Sequence, residues 1–221
     1  PMAEVKICGV TDDAALDAAL RGGARFVGLV FFAKSPRNLS LDRAAALAAR
    51  ARGRVETVAV TVNADDEFLA ALAQAVRPDF LQLHGSESPV RVAAARPFAQ
   101  KGVIKALSVA TAADLAEAAA YAPVSDWLLF DAKAPPGAAL PGGNGAAFDW
   151  TLLQGFKSPR PWLLSGGLDP ENVARAIAAA NAPAVDVSSG VESAPGVKDP
   201  SKILAFLTAA GAKPDRKLST P

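Results

Sequence analysis

The chain has 221 residues, 51% of them hydrophobic, with a formal net charge of +1, one cysteine and one histidine. So much apolar residue supports a packed core and excludes a disordered chain, and the near-neutral balance gives no electrostatic footprint for nucleic acid. A single cysteine excludes an intramolecular disulfide, and no apolar run reaches the roughly 18 residues a membrane span needs, so a cytoplasmic protein with no membrane partner is expected.

Pro1-Met2-Ala3-Glu4 has neither the basic nor the apolar stretch of a secretory leader. Glu4-Val5-Lys6-Ile7-Cys8-Gly9-Val10 then reads as a buried parallel strand opening into a loop at its glycine. Thr11-Asp12-Asp13 signals a helix N-terminus, and the helix over 14–20 stops at Gly22-Gly23. A second strand is predicted over 26–31, followed by the polar loop Lys34-Ser35-Pro36-Arg37-Asn38 and a helix capped by Ser40 that runs to about residue 52. The third strand covers 55–62, with a helix from Asp65-Asp66 to 76; the fourth covers 80–84, with a helix from Ser86-Glu87. Strand five covers 103–107, and Thr111 caps an Ala-rich helix ending at 121. Strand six covers 127–131 and leads into a Pro-, Gly- and Ala-rich connection over 133–150, long enough to read as a functional lid or mobile loop. Strand seven covers 162–165, Asp169-Pro170-Glu171 marks a helix with proline at its first position, strand eight covers 184–188, and the last helix covers 201–210.

Eight strand–helix units, their strands nearly continuously hydrophobic, most simply close with right-handed crossovers into one α/β domain, a (β/α)8 TIM barrel over 3–212. The polar tail over 213–221 is expected to fray. Side chains alternate along a strand, so Lys6 and Cys8 share a face, as do Gln82 and His84; Trp127, Leu129 and Asp131; and Ala184, Asp186 and Ser188. These polar groups are expected to point into the barrel near the C-terminal strand ends, where barrels place their active sites.

Cys8 has two readings: a small buried hydrophobe, or a functional thiol at a strand end. To act as a base it must ionise, and Lys6 on the same face is expected to lower its pKa. Asp131 either anchors a loop or serves as a general acid, which requires it to hold its proton near neutral pH. Asp186 faces the same alternatives. Arg37 is either solvated surface or, at a barrel mouth, a planar fork for a substrate carboxylate. Ser165-Gly166-Gly167-Leu168 and Ser188-Ser189-Gly190-Val191-Glu192 follow the last two strands, where barrels commonly bind phosphate, and their occurrence in adjacent units favours that reading. Gly143, in Gly142-Gly143-Asn144-Gly145, reads first as part of a flexible segment and second as a phosphate contact. His84, the only histidine, has no clustered acidic or cysteine partners that would make a zinc set, so no metal is expected.

Lys6-Ile7-Cys8-Gly9, Lys34-Ser35-Pro36-Arg37, Leu81-Gln82-Leu83-His84-Gly85, Phe130-Asp131, Phe148-Asp149-Trp150, Leu164-Ser165-Gly166-Gly167-Leu168 and the 186–192 run occur in an order that resembles phosphoribosylanthranilate isomerase of tryptophan biosynthesis. The resemblance implies a cofactor-free Amadori rearrangement of a small phosphorylated substrate by a monomer or homodimer. By matched position Cys8 is the implied general base, Asp131 the general acid and Arg37 the ligand of the anthranilate carboxylate. Gly166, Gly167, Ser188, Ser189 and Gly190 are the implied phosphate contacts, with Lys6, His84, Asp186 and Gly143 in support. Asn144 and Thr61 depart from the family pattern and bear on loop detail. Two rivals remain at this level: another phosphate-binding barrel such as indole-glycerol-phosphate synthase, and a barrel that binds a phosphorylated ligand without turning it over.

Overall fold

The computed structural model describes residues 3–132 and 149–214. Eight parallel strands close into a barrel in sequence order: β1 (Glu4–Cys8), β2 (Phe26–Phe31), β3 (Glu56–Thr61), β4 (Phe80–Leu83), β5 (Gly102–Val109), β6 (Trp127–Ala132), β7 (Trp162–Leu164) and β8 (Ala184–Val187). Closure rests on the β1–β8 pairing, which sets Lys6 opposite Asp186, and on β1–β2, which sets Cys8 opposite Gly28. Around the barrel run α1 (Asp13–Arg21), α2 (Leu41–Ala51), α3 (Asp66–Ala75), α4 (Pro89–Ala95), α5 (Ala118–Tyr121), α6 (Val173–Ala180) and α7 (Pro200–Ala209).

The alternation read from the strands separates two cores. Val5, Ile7, Leu81, Leu83, Leu128 and Phe130 point outward and pack under the helices. Phe26, Val58, Phe80, Ile104, Leu129, Leu163 and Ala184 fill the barrel together with Cys8. At its N-terminal end Phe26 meets Phe80 and Trp127 edge-on, with centroids 5.8 and 5.5 Å apart, and the Arg25 guanidinium covers Phe26 at 4.8 Å. These contacts seal the bottom with apolar surface. The polar inward residues are thereby confined to the upper half.

Three local expectations shift. The helix expected from Ser86-Glu87 starts at Pro89 with Ser88 as its cap, because Glu87 is drawn inward to Lys105. The helix expected at Asp169-Pro170 starts at Val173. Asp169 Oδ1 accepts from the N–H groups of Glu171 and Asn172, while Asn172 Oδ1 accepts from Asp169 N. That reciprocal pair is a capping box, and Val173 N donates to the Asp169 carbonyl at 3.1 Å, so the expected signal does open this helix and its regular turns follow from Val173. The Ala-rich segment after Thr111 is a 3-10 helix over Ala112–Glu117 before the single α turn of α5. It buries only Leu115 and Ala118, with Tyr121 packed half-buried against the core, too little burial to hold a longer helix.

An unexpected feature follows β8: a small antiparallel hairpin of β9 (Glu192–Ala194) and β10 (Val197–Lys198). The tail begins docked rather than free, since the Lys213 carbonyl lies 1.9 Å from where a Cβ on Gly23 would stand. Residues 215–221, and Gly143 with most of the 133–150 connection, lie outside the described residues.

Candidate active site

Two clusters of buried charge occupy the C-terminal end of the barrel, and Cys8 stands between them. In the first, Lys6 Nζ donates to Asp186 Oδ1 at 2.8 Å, and Ser165 Oγ donates to Asp186 Oδ2 at 3.2 Å. Lys6 is fully buried and Asp186 nearly so. Burial works against the Lys6 charge, but Asp186 and Cys8 outweigh it and hold the ammonium above its ordinary pKa. Asp186 thus has a structural partner for each carboxylate oxygen.

In the second, Glu192 joins two cations. Arg37 Nε and Nη2 donate to its two oxygens at 2.7 and 2.9 Å, and Lys198 Nζ donates to Oε1 at 2.6 Å. Lys198 also donates to the Ser188 carbonyl at 2.9 Å. Burial lowers the Lys198 pKa despite Glu192. Arg37 is only 6% exposed, so the solvated-surface reading of that residue does not hold. Its stem lies over Gly9: a Cβ there would stand 2.6 Å from Arg37 Cδ, and Gly9 has φ +79°, a conformation that favours glycine.

The Cys8 sulfur fits because residue 28 is glycine; a Cβ there would stand 2.8 Å from it. A glycine inside a strand marks such a close approach, and that signal was available in the sequence. Cys8 is 8% exposed. Burial pushes its thiol above the ordinary pKa; Lys6 and Lys198 pull the other way and Asp186 adds to the rise. Lys6 therefore acts in the expected direction, but it is paired with Asp186 and does not overcome the desolvation of the thiolate.

Asp131, at the end of β6, is buried and meets His84, whose Nε2 lies 3.3 Å from Oδ2. Gln82 Nε2 lies 2.8 Å from His84 Nδ1. When the amide N–H donates to Nδ1, the Nε2–H donates to Asp131, leaving Oδ1 for exchange with a ligand. Gln82 Oε1 is buried without a partner among the described residues.

The loop that carries His84 is pinned by Glu87. Its carboxylate accepts from Lys105 Nζ at 2.8 Å, from Asn63 N at 2.8 Å and from Gly85 N at 2.9 Å. Burial disfavours the Glu87 charge, but Lys105 and the backbone donors win and hold its pKa below the usual carboxylate value. That stabilisation is present above the unfolded-state pKa and is lost as pH falls through the folded one. Glu87→Gln is therefore expected to cost about 3–5 kcal/mol at pH 7, as for a broken buried ion pair, with the gap to wild type narrowing below about pH 4.5. Urea unfolding of both proteins at pH 7 and in the acid range checks this; an equal gap at every pH would refute it.

The loops after β7 and β8 lean on each other. A Cβ at Gly190 would stand 1.9 Å from the Leu168 carbonyl oxygen, and one at Gly166 would stand 2.6 Å from Ala132 Cβ. Gly166 and Gly167 adopt φ of +95° and +64°. The structure therefore brings Cys8, Lys6, Asp186, Arg37 and Ser188 into one neighbourhood, and His84 with Asp131 into another at the same end of the barrel. Sequence reasoning missed the roles of Gly28, Glu192, Lys198 and the Glu87–Lys105 pair. Among the described residues no group of three or more His, Cys, Asp or Glu side chains is arranged to hold a metal, and no helix is long and apolar enough to cross a membrane.

Residues 5–209 match the family described as "PRAI: N-(5'phosphoribosyl)anthranilate (PRA) isomerase". An N-(5'-phosphoribosyl)anthranilate isomerase of Rhodopseudomonas palustris (strain BisA53) is 56% identical over 95% of this chain and 96% of its own. The crystal structure of phosphoribosyl anthranilate isomerase from Thermotoga maritima superposes with a TM-score of 0.85 at 36% identity, covering 95% of this chain and 99% of that one. A monomeric form of that dimeric enzyme gives a TM-score of 0.81 at 35% identity over the same shares. A phosphoribosyl anthranilate isomerase in complex with reduced 1-(o-carboxyphenylamino)-1-deoxyribulose 5-phosphate gives 0.82 at 34% identity, again over 95% and 99%.

Proposed function

The chain belongs to the N-(5'-phosphoribosyl)anthranilate isomerase family of tryptophan biosynthesis, and from that premise we propose that its reaction runs by general acid–base catalysis with Asp131 as the acid and Cys8 as the base. The enzyme converts N-(5'-phosphoribosyl)anthranilate into 1-(o-carboxyphenylamino)-1-deoxyribulose 5-phosphate. Asp131 protonates the ribose ring oxygen and the C1–O bond breaks, with the anilino nitrogen lone pair forming a protonated Schiff base at C1. The Cys8 thiolate then removes the C2 proton, and the electron pair moves toward the iminium nitrogen. The resulting enolamine gains a proton at C1 as its C2 hydroxyl loses one, giving the ketone. The substrate nitrogen is the electron sink, so the scheme calls on no cofactor.

One observation carries the assignment: the chain's only thiol and a buried carboxyl held by His84 both end strands of the same barrel, on β1 and β6. Arg37 binds the anthranilate carboxylate through the N–H groups that Glu192 leaves unused, and the glycine turns after β7 and β8 receive the phosphate. A cytoplasmic setting completes the proposal, together with a homodimer, the Thermotoga maritima enzyme being dimeric.

Turnover of freshly prepared substrate by wild type, Cys8→Ala and Asp131→Asn tests the scheme. Tight binding of the reduced product analogue with no wild-type turnover would leave a binding barrel instead. The phosphate loops have their own test. Gly190→Ala must push the Leu168 carbonyl away, and KM is expected to rise about tenfold with a smaller change in kcat. An unaltered KM would move the phosphate elsewhere.

A further inference from the structure

We propose that Glu192, itself held by Lys198 on the β9–β10 hairpin, is a positioning residue that presents Arg37 to the substrate carboxylate. The inference rests on the reading of Arg37 given above and extends it to residues that touch no substrate.

Glu192 has both oxygens fully engaged. Oε1 accepts from Arg37 Nε at 2.7 Å and from Lys198 at 2.6 Å; Oε2 accepts from Arg37 Nη2 at 2.9 Å and from Gly196 N at 3.2 Å. A guanidinium has five N–H donors in one rigid plane. Gripping one edge through Nε and Nη2 fixes the plane and leaves the edge formed by Nη1 and the second Nη2 hydrogen. Those donors have no acceptor among the described residues, although Arg37 is buried. A buried arginine with one edge held and the other edge open is suited to a second planar carboxylate.

The hairpin also holds the loop that carries Arg37. Gly196, at φ +80° in the β9–β10 turn, lies so close that a Cβ there would stand 2.6 Å from the Pro36 carbonyl oxygen. Lys198 reaches from the same hairpin to the Ser188 carbonyl at 2.9 Å, and Lys202 Nζ holds the Glu192 carbonyl at 2.8 Å. One short hairpin thus ties the arginine to the loop after β8 that is assigned to the phosphate. It sets the spacing between the two ends of the substrate that carry negative charge.

The experiment compares N-(5'-phosphoribosyl)anthranilate with the analogue whose phenyl ring lacks the carboxyl group. The readout is the ratio of the two kcat/KM values, measured on a single preparation. Because the amount of active enzyme cancels, a variant that folds poorly still reports. Wild type should favour the carboxylate substrate, and Arg37→Ala should bring the ratio close to one. Glu192→Gln, which keeps Arg37, should lower the ratio about tenfold, mainly through KM of the carboxylate substrate. The double variant Glu192→Gln/Lys198→Met keeps the net charge of the cluster and should show the same loss, while Glu192→Asp should recover part of it. If Arg37→Ala abolishes the preference and neither glutamine-bearing variant alters it, the positioning role is overturned and the role of Arg37 stands. If Arg37→Ala leaves the preference intact, the reading of Arg37 fails and the positioning role falls with it.

Discussion

Cys8→Ala is expected to lower kcat by about a thousandfold while leaving the barrel folded, since general-base catalysis is worth roughly two to four orders of magnitude. The substitution removes one sulfur atom from a position already small, facing Gly28 and only 8% exposed. Its contact with Lys6 is lost, but Lys6 keeps Asp186 at 2.8 Å, so thermal unfolding should shift little and the loss of rate can be read as chemistry. The thiolate is the active form and burial pushes the thiol pKa up, so the kcat/KM profile should carry an ionisation above the ordinary thiol range. The residual activity of the alanine variant should lose that ionisation. A variant that turns over at the wild-type rate would remove the thiol from the mechanism.

Asp131→Asn should lower kcat by a similar factor, about a thousandfold, with little change in KM. Asparagine has the same shape and keeps a carbonyl oxygen that can accept from His84 Nε2, which in the wild type lies 3.3 Å from Oδ2. It has no acidic proton to give to the ribose ring oxygen, so ring opening should become rate-limiting. Steady-state kinetics together with binding of the reduced product analogue checks the claim. An unchanged kcat would assign the proton to another group, while loss of analogue binding would show that the carboxyl serves in binding rather than proton transfer.

The eight strands were legible because a parallel strand covered on both faces must be apolar almost throughout, and few other environments demand such runs. Their inward faces were legible for a related reason: alternation forced the lone polar residues of β1, β4, β6 and β8 onto one side. Helix starts were less legible. Ser86-Glu87 has the residue types of a helix N-terminus, yet Glu87 is used by Lys105, a residue 18 positions away on β5. At Asp169-Pro170-Glu171 the signal holds, because the Asp169–Asn172 capping box that opens the helix is itself local.

The site divides the same way. Strand periodicity and loop chemistry are local, and they brought Cys8, Asp131, Arg37 and the glycine turns to notice from the amino-acid order alone. Which charges face one another is not local. Arg37 meets Glu192 across 155 positions and Lys6 meets Asp186 across 180. These partners are set by barrel closure, which brings β1 against β8 and folds the hairpin after β8 onto the loop after β2. A buried charge is stable only where the folded chain delivers a counter-charge at hydrogen-bond distance. The amino-acid order therefore determined the architecture of this isomerase and marked its candidate reactive groups, and the tertiary structure alone decided how each buried charge is held and which edge of Arg37 is left open.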